Sequence, residues 1–99
     1  MIAVIGTFRL PPDMVPEAEV LMRQVIAETL QEPGCHTYSY AEDVAEPGLF
    51  RVLDLWTDRA ALNAHFATPH MIRWIEARTR LGFHDRRIAV HVIGQGEAV

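Results

Sequence analysis

The segment Leu49 to Thr57 sets the first constraint on folding, because both of its alternating faces carry large apolar groups. Successive side chains of a strand point to opposite faces. Phe50, Val52, Asp54 and Trp56 therefore share one face, and Leu49, Arg51, Leu53 and Leu55 share the other. Neither face suits solvent, so a sheet built on this strand needs a cover on each side. The chain has 99 residues, read here as one domain over 1–99, near the small end of what buries a single core. Two helical regions can cover one face of a four-stranded sheet. A second copy, packed sheet against sheet, covers the other, which predicts a two-fold homodimer.

The remaining elements follow from period and punctuation. Ile2 to Leu10 is β-rich, with Gly6 marking a bulge or a close backbone approach. Asp13 is the expected N-cap of a first helix, with Pro16 in its first turn. Val15, Ala18, Met22, Val25, Ile26 and Leu30 recur at helical spacing and predict its buried face. Pro33-Gly34 stops it, Cys35 to Ala41 alternates as a second strand, and Pro47-Gly48 turns the chain into the third. Asp58 caps a helix over Arg59 to Phe66, and Thr68-Pro69 restarts it. Met71, Trp74, Ile75 and Arg78 carry the stripe on to about Arg80, and Arg87 to Ile93 forms the last strand. The order β-α-β-β-α-β is the ferredoxin-like α+β arrangement with an antiparallel sheet.

Composition excludes several function classes. A net charge of −4 argues against a nucleic-acid partner. No lysine occurs, which removes Schiff-base chemistry and the phosphate-loop lysine. Cys35 is the only cysteine, so neither an intrachain disulfide nor a cysteine zinc site can form. No H-x-x-x-H or H-E-x-x-H pair suggests a metal, and Gly94-Gln95-Gly96 precedes no helix that could make it a dinucleotide fingerprint. The apolar runs are too short to span a bilayer, and Met1 to Ile5 reads as a strand rather than a signal peptide. The expectation is a cytoplasmic protein with no membrane contact. Arg73, Arg78, Arg80, Arg86 and Arg87 crowd the last third, either as a solvated surface or as a contact for an anionic ligand or partner.

Asp54 on an interior strand face must be paired or protonated. An ion pair with Arg9 or Arg51 would keep it ionised; without one its pKa rises and it can serve as a base. Trp56 is either core packing or a pocket wall. His65 and His70 flank the helix break, as surface or capping groups or as pocket groups able to take a phenolic proton. His36, His84 and His91 are read as structural.

From Glu32 to His70 five local patterns occur in one order. They are Glu32-Pro33-Gly34-Cys35, a strand-like run to Ala41, the turn Glu46-Pro47-Gly48, a strand ending Asp54-Leu55-Trp56-Thr57-Asp58, and Ala60-Ala61-Leu62-Asn63-Ala64-His65-Phe66-Ala67-Thr68-Pro69-His70. In that order the sequence resembles the antibiotic biosynthesis monooxygenase family of small dimeric α+β barrel proteins. Members typically show E-P-G-C, a tryptophan closing the third strand, and A-L-x-x-H-x-x-S-P-H opening the helical region after it. The resemblance implies cofactor-independent oxygenation of a quinol or polycyclic phenol by a homodimer. It implies a pocket between sheet and helices with Trp56 against an aromatic ligand. In that pocket His65 is the leading candidate base, Asp54 either orients it or serves as base itself, and Phe66 and His70 are the further substrate contacts. The haem-degrading branch uses a histidine and an asparagine where this chain has Ile75 and Gly6 or Thr7, which argues against haem. No cofactor and no metal are expected. Two other classes stay open: an isomerase or related enzyme on a small polar carbonyl compound, and a non-catalytic dimeric binding or interaction module.

Overall fold

The computed structural model describes residues 1–99. Strand β1 (Ile2–Arg9) leads through a short 3-10 turn (Pro12–Met14) into helix α1 (Val15–Thr29). Strands β2 (Cys35–Glu42) and β3 (Leu49–Trp56) follow, then helices α2 (Arg59–Phe66) and α3 (Pro69–Arg80), and finally β4 (His84–Val92). The sheet order is β2-β3-β1-β4 and every neighbouring pair is antiparallel. This is the ferredoxin-like α+β fold that the element order predicts.

The expected start of α1 needs correction. Asp13 lies inside the 3-10 turn, and Met14 holds the N-cap position without a side-chain bond. Pro11-Pro12 begins the turn early: the Met14 amide donates to the Pro11 carbonyl at 2.9 Å, so the chain enters the helix already turning. The far end also shifts. Leu30 is exposed and Thr29 is buried in its place, because Thr29 continues the phase set by Met22 and Val25. The other caps lie where the sequence puts them. The Asp58 carboxylate accepts from the Ala61 amide at 2.9 Å, and Thr68 Oγ1 accepts from the Met71 amide at 3.3 Å. Gly6 is required by proximity, since a Cβ there would overlap the Arg87 carbonyl oxygen on β4.

The core lies between the helices and one sheet face. Val4, Phe8, Phe50, Val52 and Trp56 pack there against Ala18, Met22, Leu62, Met71 and Trp74. Phe8 stacks on Phe50 with centroids 5.3 Å apart, which joins the two central strands at their far end. On the opposite, helix-free face Ile5 and Leu53 face each other in register and remain 47% and 40% exposed. No helix is long and apolar enough to cross a membrane.

Candidate functional site

His65 occupies the last turn of α2 and is 1% exposed. The strand-to-helix turn at Asp58 carries it over the end of β3. Its ring lies 4.9 Å from the Trp56 ring and 5.2 Å from that of Tyr38, between centroids. Its Nδ1 donates to Glu32 Oε2 at 2.8 Å, and His70 Nε2 donates to the same oxygen at 2.7 Å. A carboxylate only accepts, so the bond fixes the proton of neutral His65 on Nδ1 and leaves the Nε2 lone pair free. Burial lowers the His65 pKa, and the bond to Glu32 opposes that shift. The net lowering leaves a neutral imidazole, the form needed in a base, dominant at pH 7.

Glu32 reaches this position from the α1–β2 connection. Gly34 two residues on takes φ of 83°, in the left-handed region that favours glycine, and a Cβ there would press on Ala61. The Glu-Pro-Gly turn therefore sets its carboxylate against the junction of α2 and α3. Glu32, His65 and His70 offer ligand atoms within 4.8 Å of one another. Two short hydrogen bonds through one oxygen already account for that grouping, and a cation there would have to displace both imidazole protons.

Asp54 is 4% exposed and has no cationic partner. Arg9 pairs instead with Glu46 and Asp85, and Arg51 with Asp43. Only Trp56 Nε1 donates to Asp54, at 3.4 Å to Oδ2, while Oδ1 has no partner. Burial pushes its pKa up to about 7, and the Trp56 bond offsets part of that rise. Of the two alternatives the sequence leaves open, the unpaired, raised carboxyl is the one found.

A cavity of about 30 Å³ joins these groups between the four strands and helices α2 and α3. Phe8, Tyr38, Tyr40, Phe66 and Met71 line it with His65 and Asp54, and so do Arg78 and Arg86. Tyr38 and Tyr40 share a hydrogen bond between hydroxyls at 2.6 Å. Burial raises both phenols, Tyr40 to about 12, so both stay protonated near neutrality. The volume holds about one water molecule. An aromatic ring needs more room than this; Phe66, which is 44% exposed, and the flexible Met71 are among the lining side chains. A larger groove of about 280 Å³ between α1 and α3 meets His70 and Glu28 from the other side. It brings together neither His65 nor Asp54, so the smaller cavity is the better candidate.

The structure thus gathers His65, Asp54 and Phe66 on one cavity. Trp56 is fully buried behind His65 and outside the lining, and His70 lies beyond Glu32. The carboxylate at His65 Nδ1 is that of Glu32, not Asp54. Sequence reasoning gave no role to Glu32, Tyr38 or Tyr40, and left Arg78 and Arg86 undivided from the other late arginines, as solvated surface or as an anionic contact. The signal for Glu32 was the E-P-G-C motif itself, where an acid precedes a forced turn. The tyrosines shared the alternating face of β2, and Arg78 continued the stripe of α3.

The model of the family described as antibiotic biosynthesis monooxygenase matches residues 1–77. The uncharacterized protein sll1783 of Synechocystis is 32% identical over 98 residues, 99% of this chain and 67% of that protein. The Escherichia coli K12 protein named "Probable quinol monooxygenase YgiN" is 31% identical over 87 residues, 78% of this chain and 84% of that protein. A crystal structure of a candidate antibiotic biosynthesis monooxygenase from Deinococcus radiodurans superimposes with a TM-score of 0.92 at 26% identity, covering 100% of this chain and 98% of that one. With the motif order, the fold and these matches in agreement, the chain belongs to the antibiotic biosynthesis monooxygenase family.

Proposed function

We propose that the protein is a cofactor-independent monooxygenase that oxidises a quinol or polycyclic phenol with dioxygen. The observation that carries this reading is a buried, neutral His65 whose Nδ1 is bound to Glu32 and whose Nε2 is free beside an aromatic-lined cavity. Nε2 takes the phenolic proton, and the phenolate gives an electron to dioxygen. The substrate radical and superoxide then combine to form a carbon–oxygen bond. Cleavage of the O–O bond leaves one oxygen on the product and the other in water. For a simple hydroquinone the balance is hydroquinone plus dioxygen giving hydroxyquinone plus water. Its protons return to the water formed, so His65 is regenerated as the neutral base.

The surrounding residues support each step. The aromatic and aliphatic lining excludes water from the radical pair. Asp54, titrating near neutrality, is able to donate to or accept from a second oxygen of the substrate. The apolar helix-free face suits a second copy, and the active form on this reading is a homodimer.

Oxygen uptake with a panel of hydroquinones and anthrone-like phenols tests the reading. Turnover should appear with at least one member and fall by roughly 10²–10⁴-fold in a folded His65→Ala variant. Wild-type rates in that variant would remove His65 as the base. The cavity of about 30 Å³ favours a second reading, an isomerase on a small polar carbonyl compound, with His65 moving a proton beside the carbonyl. Proton–deuterium exchange into small hydroxyketones without oxygen consumption would favour it.

A further inference from the structure

Arg78 and Arg86 differ from the paired arginines around them. Arg73 pairs with Glu28 at 3.1 Å, and Arg87 with Asp85 at 2.9 Å. Arg9, Arg23 and Arg51 are also bound to carboxylates. Of the four arginines with no carboxylate within 4.0 Å, Arg59 and Arg80 lie off the His65 cavity, which leaves Arg78 and Arg86, although acids outnumber basic residues 13 to 9. Both line the cavity that holds His65. They come from different elements, α3 and β4, with Arg86 on the same strand face as the helix-facing Ile88. The Arg78 guanidinium lies 4.3 Å from the centre of the Phe83 ring, which orients it without neutralising it.

Two unpaired cations on one cavity oppose each other. Burial lowers the Arg78 pKa, and the charge of Arg86 lowers it further, while the Tyr40 and Tyr38 side chains act the other way. The acid on the cavity, Asp54, is bound to Trp56 and largely protonated below about pH 7. The resting cavity therefore carries a net positive charge. We infer that Arg78 and Arg86 form an anion subsite that takes an oxyanion, carboxylate or phosphate, carried on an aromatic substrate. Planar guanidinium forks match both groups. Resting on the reading above, this makes the substrate an acidic hydroxyaromatic compound, its anion at the arginines and its phenol at His65.

Equilibrium binding under nitrogen tests the subsite without turnover. The probes are 1-hydroxy-2-naphthoate, 1-naphthyl phosphate and uncharged 1-naphthol, titrated calorimetrically into the wild-type protein at low salt. At least one anion should bind about tenfold or more tighter than 1-naphthol, a lead that shrinks as salt rises. In Arg86→Met, an exposed position where folding should persist, that lead should fall by about tenfold while 1-naphthol affinity stays within about twofold. Arg78→Met should do the same if circular dichroism shows it folded. Neither anion outbinding 1-naphthol, or a lead undiminished in Arg86→Met, overturns the subsite. The stronger of the two anions identifies carboxylate or phosphate as the group taken. Failure of the monooxygenase reading would show separately, as absent oxygen uptake with charged and uncharged hydroquinones alike.

Discussion

Glu32 Oε2 lies 2.8 Å from His65 Nδ1, although the two residues are 33 positions apart in sequence. The same oxygen receives His70 Nε2 at 2.7 Å, so one carboxylate holds both histidines of the helix break. The bond decides which nitrogen of His65 keeps its lone pair. Glu32→Gln should disturb this choice, because the amide can donate to Nδ1 and favour the tautomer with its proton on Nε2. Turnover should fall by roughly 10²–10⁴-fold while the fold persists. Nitrogen NMR of the His65 ring should show the tautomer change in the same sample. Full activity with an altered tautomer would separate Glu32 from the chemistry.

Asp54 links burial to pH-dependent stability. Its pKa is raised from 3.8 to about 7 by desolvation, so between those values the folded protein holds a proton that the unfolded chain has lost. Stability from this group is complete below 3.8 and is lost as pH rises through about 7. Asp54→Asn removes the titration. The variant should match the wild type near pH 4 and exceed it near pH 8, by an upper limit of roughly 4 kcal/mol at about 1.4 kcal/mol per pKa unit. Urea melts at the two pH values measure this. A stability difference independent of pH would mean that Asp54 ionises normally in the folded state.

Trp56 is fully buried against the His65 ring and outside the cavity lining. Trp56→Ala should cost about 3–5 kcal/mol of stability through lost volume. It should also free the His65 ring to tilt. Trp56→Phe keeps most of the wall but removes the only donor to Asp54, which should raise the Asp54 pKa further. Ligand affinity changed no more than twofold in a folded Trp56→Phe variant fits support from behind the base. A large loss of affinity alone would place the indole against the ligand.

The strands, both helix caps after β3 and the β-α-β-β-α-β order were legible because they rest on local period and punctuation. Asp58 and Thr68 needed only their own neighbours to reveal themselves. The start of α1 was misplaced because two prolines opened a 3-10 turn that a capping pattern does not encode. His65, Asp54 and Phe66 were legible as site candidates through the motif order. The partner of His65 was not, because Glu32 arrives by a long-range closure of the α1–β2 connection on the α2–α3 junction. Local pattern also cannot count ion pairs, so the five late arginines stayed one undivided group. Only folding separates Arg73 and Arg87, which are paired, from Arg78, Arg80 and Arg86, which are not, and sets Arg78 and Arg86 on the cavity.

The helix-free face gives the final prediction. Ile5 and Leu53 are neighbours in register, and Leu55 and Ala89 flank them on the same face. Exposed apolar residues scattered singly need no explanation, but a contiguous row across three strands does. Burying it against a second copy removes both rows from water at about 25 cal/mol per Å². Sedimentation at micromolar concentration should therefore give twice the 11.2 kDa chain mass. Leu53→Glu places a carboxylate in the centre of that face and, by two-fold symmetry, close to its own copy. Desolvation and like-charge repulsion then act together. The variant should sediment as a monomer at pH 8 with its helical content retained. A wild type that stays at 11.2 kDa across the concentration range would leave the exposed row for another partner.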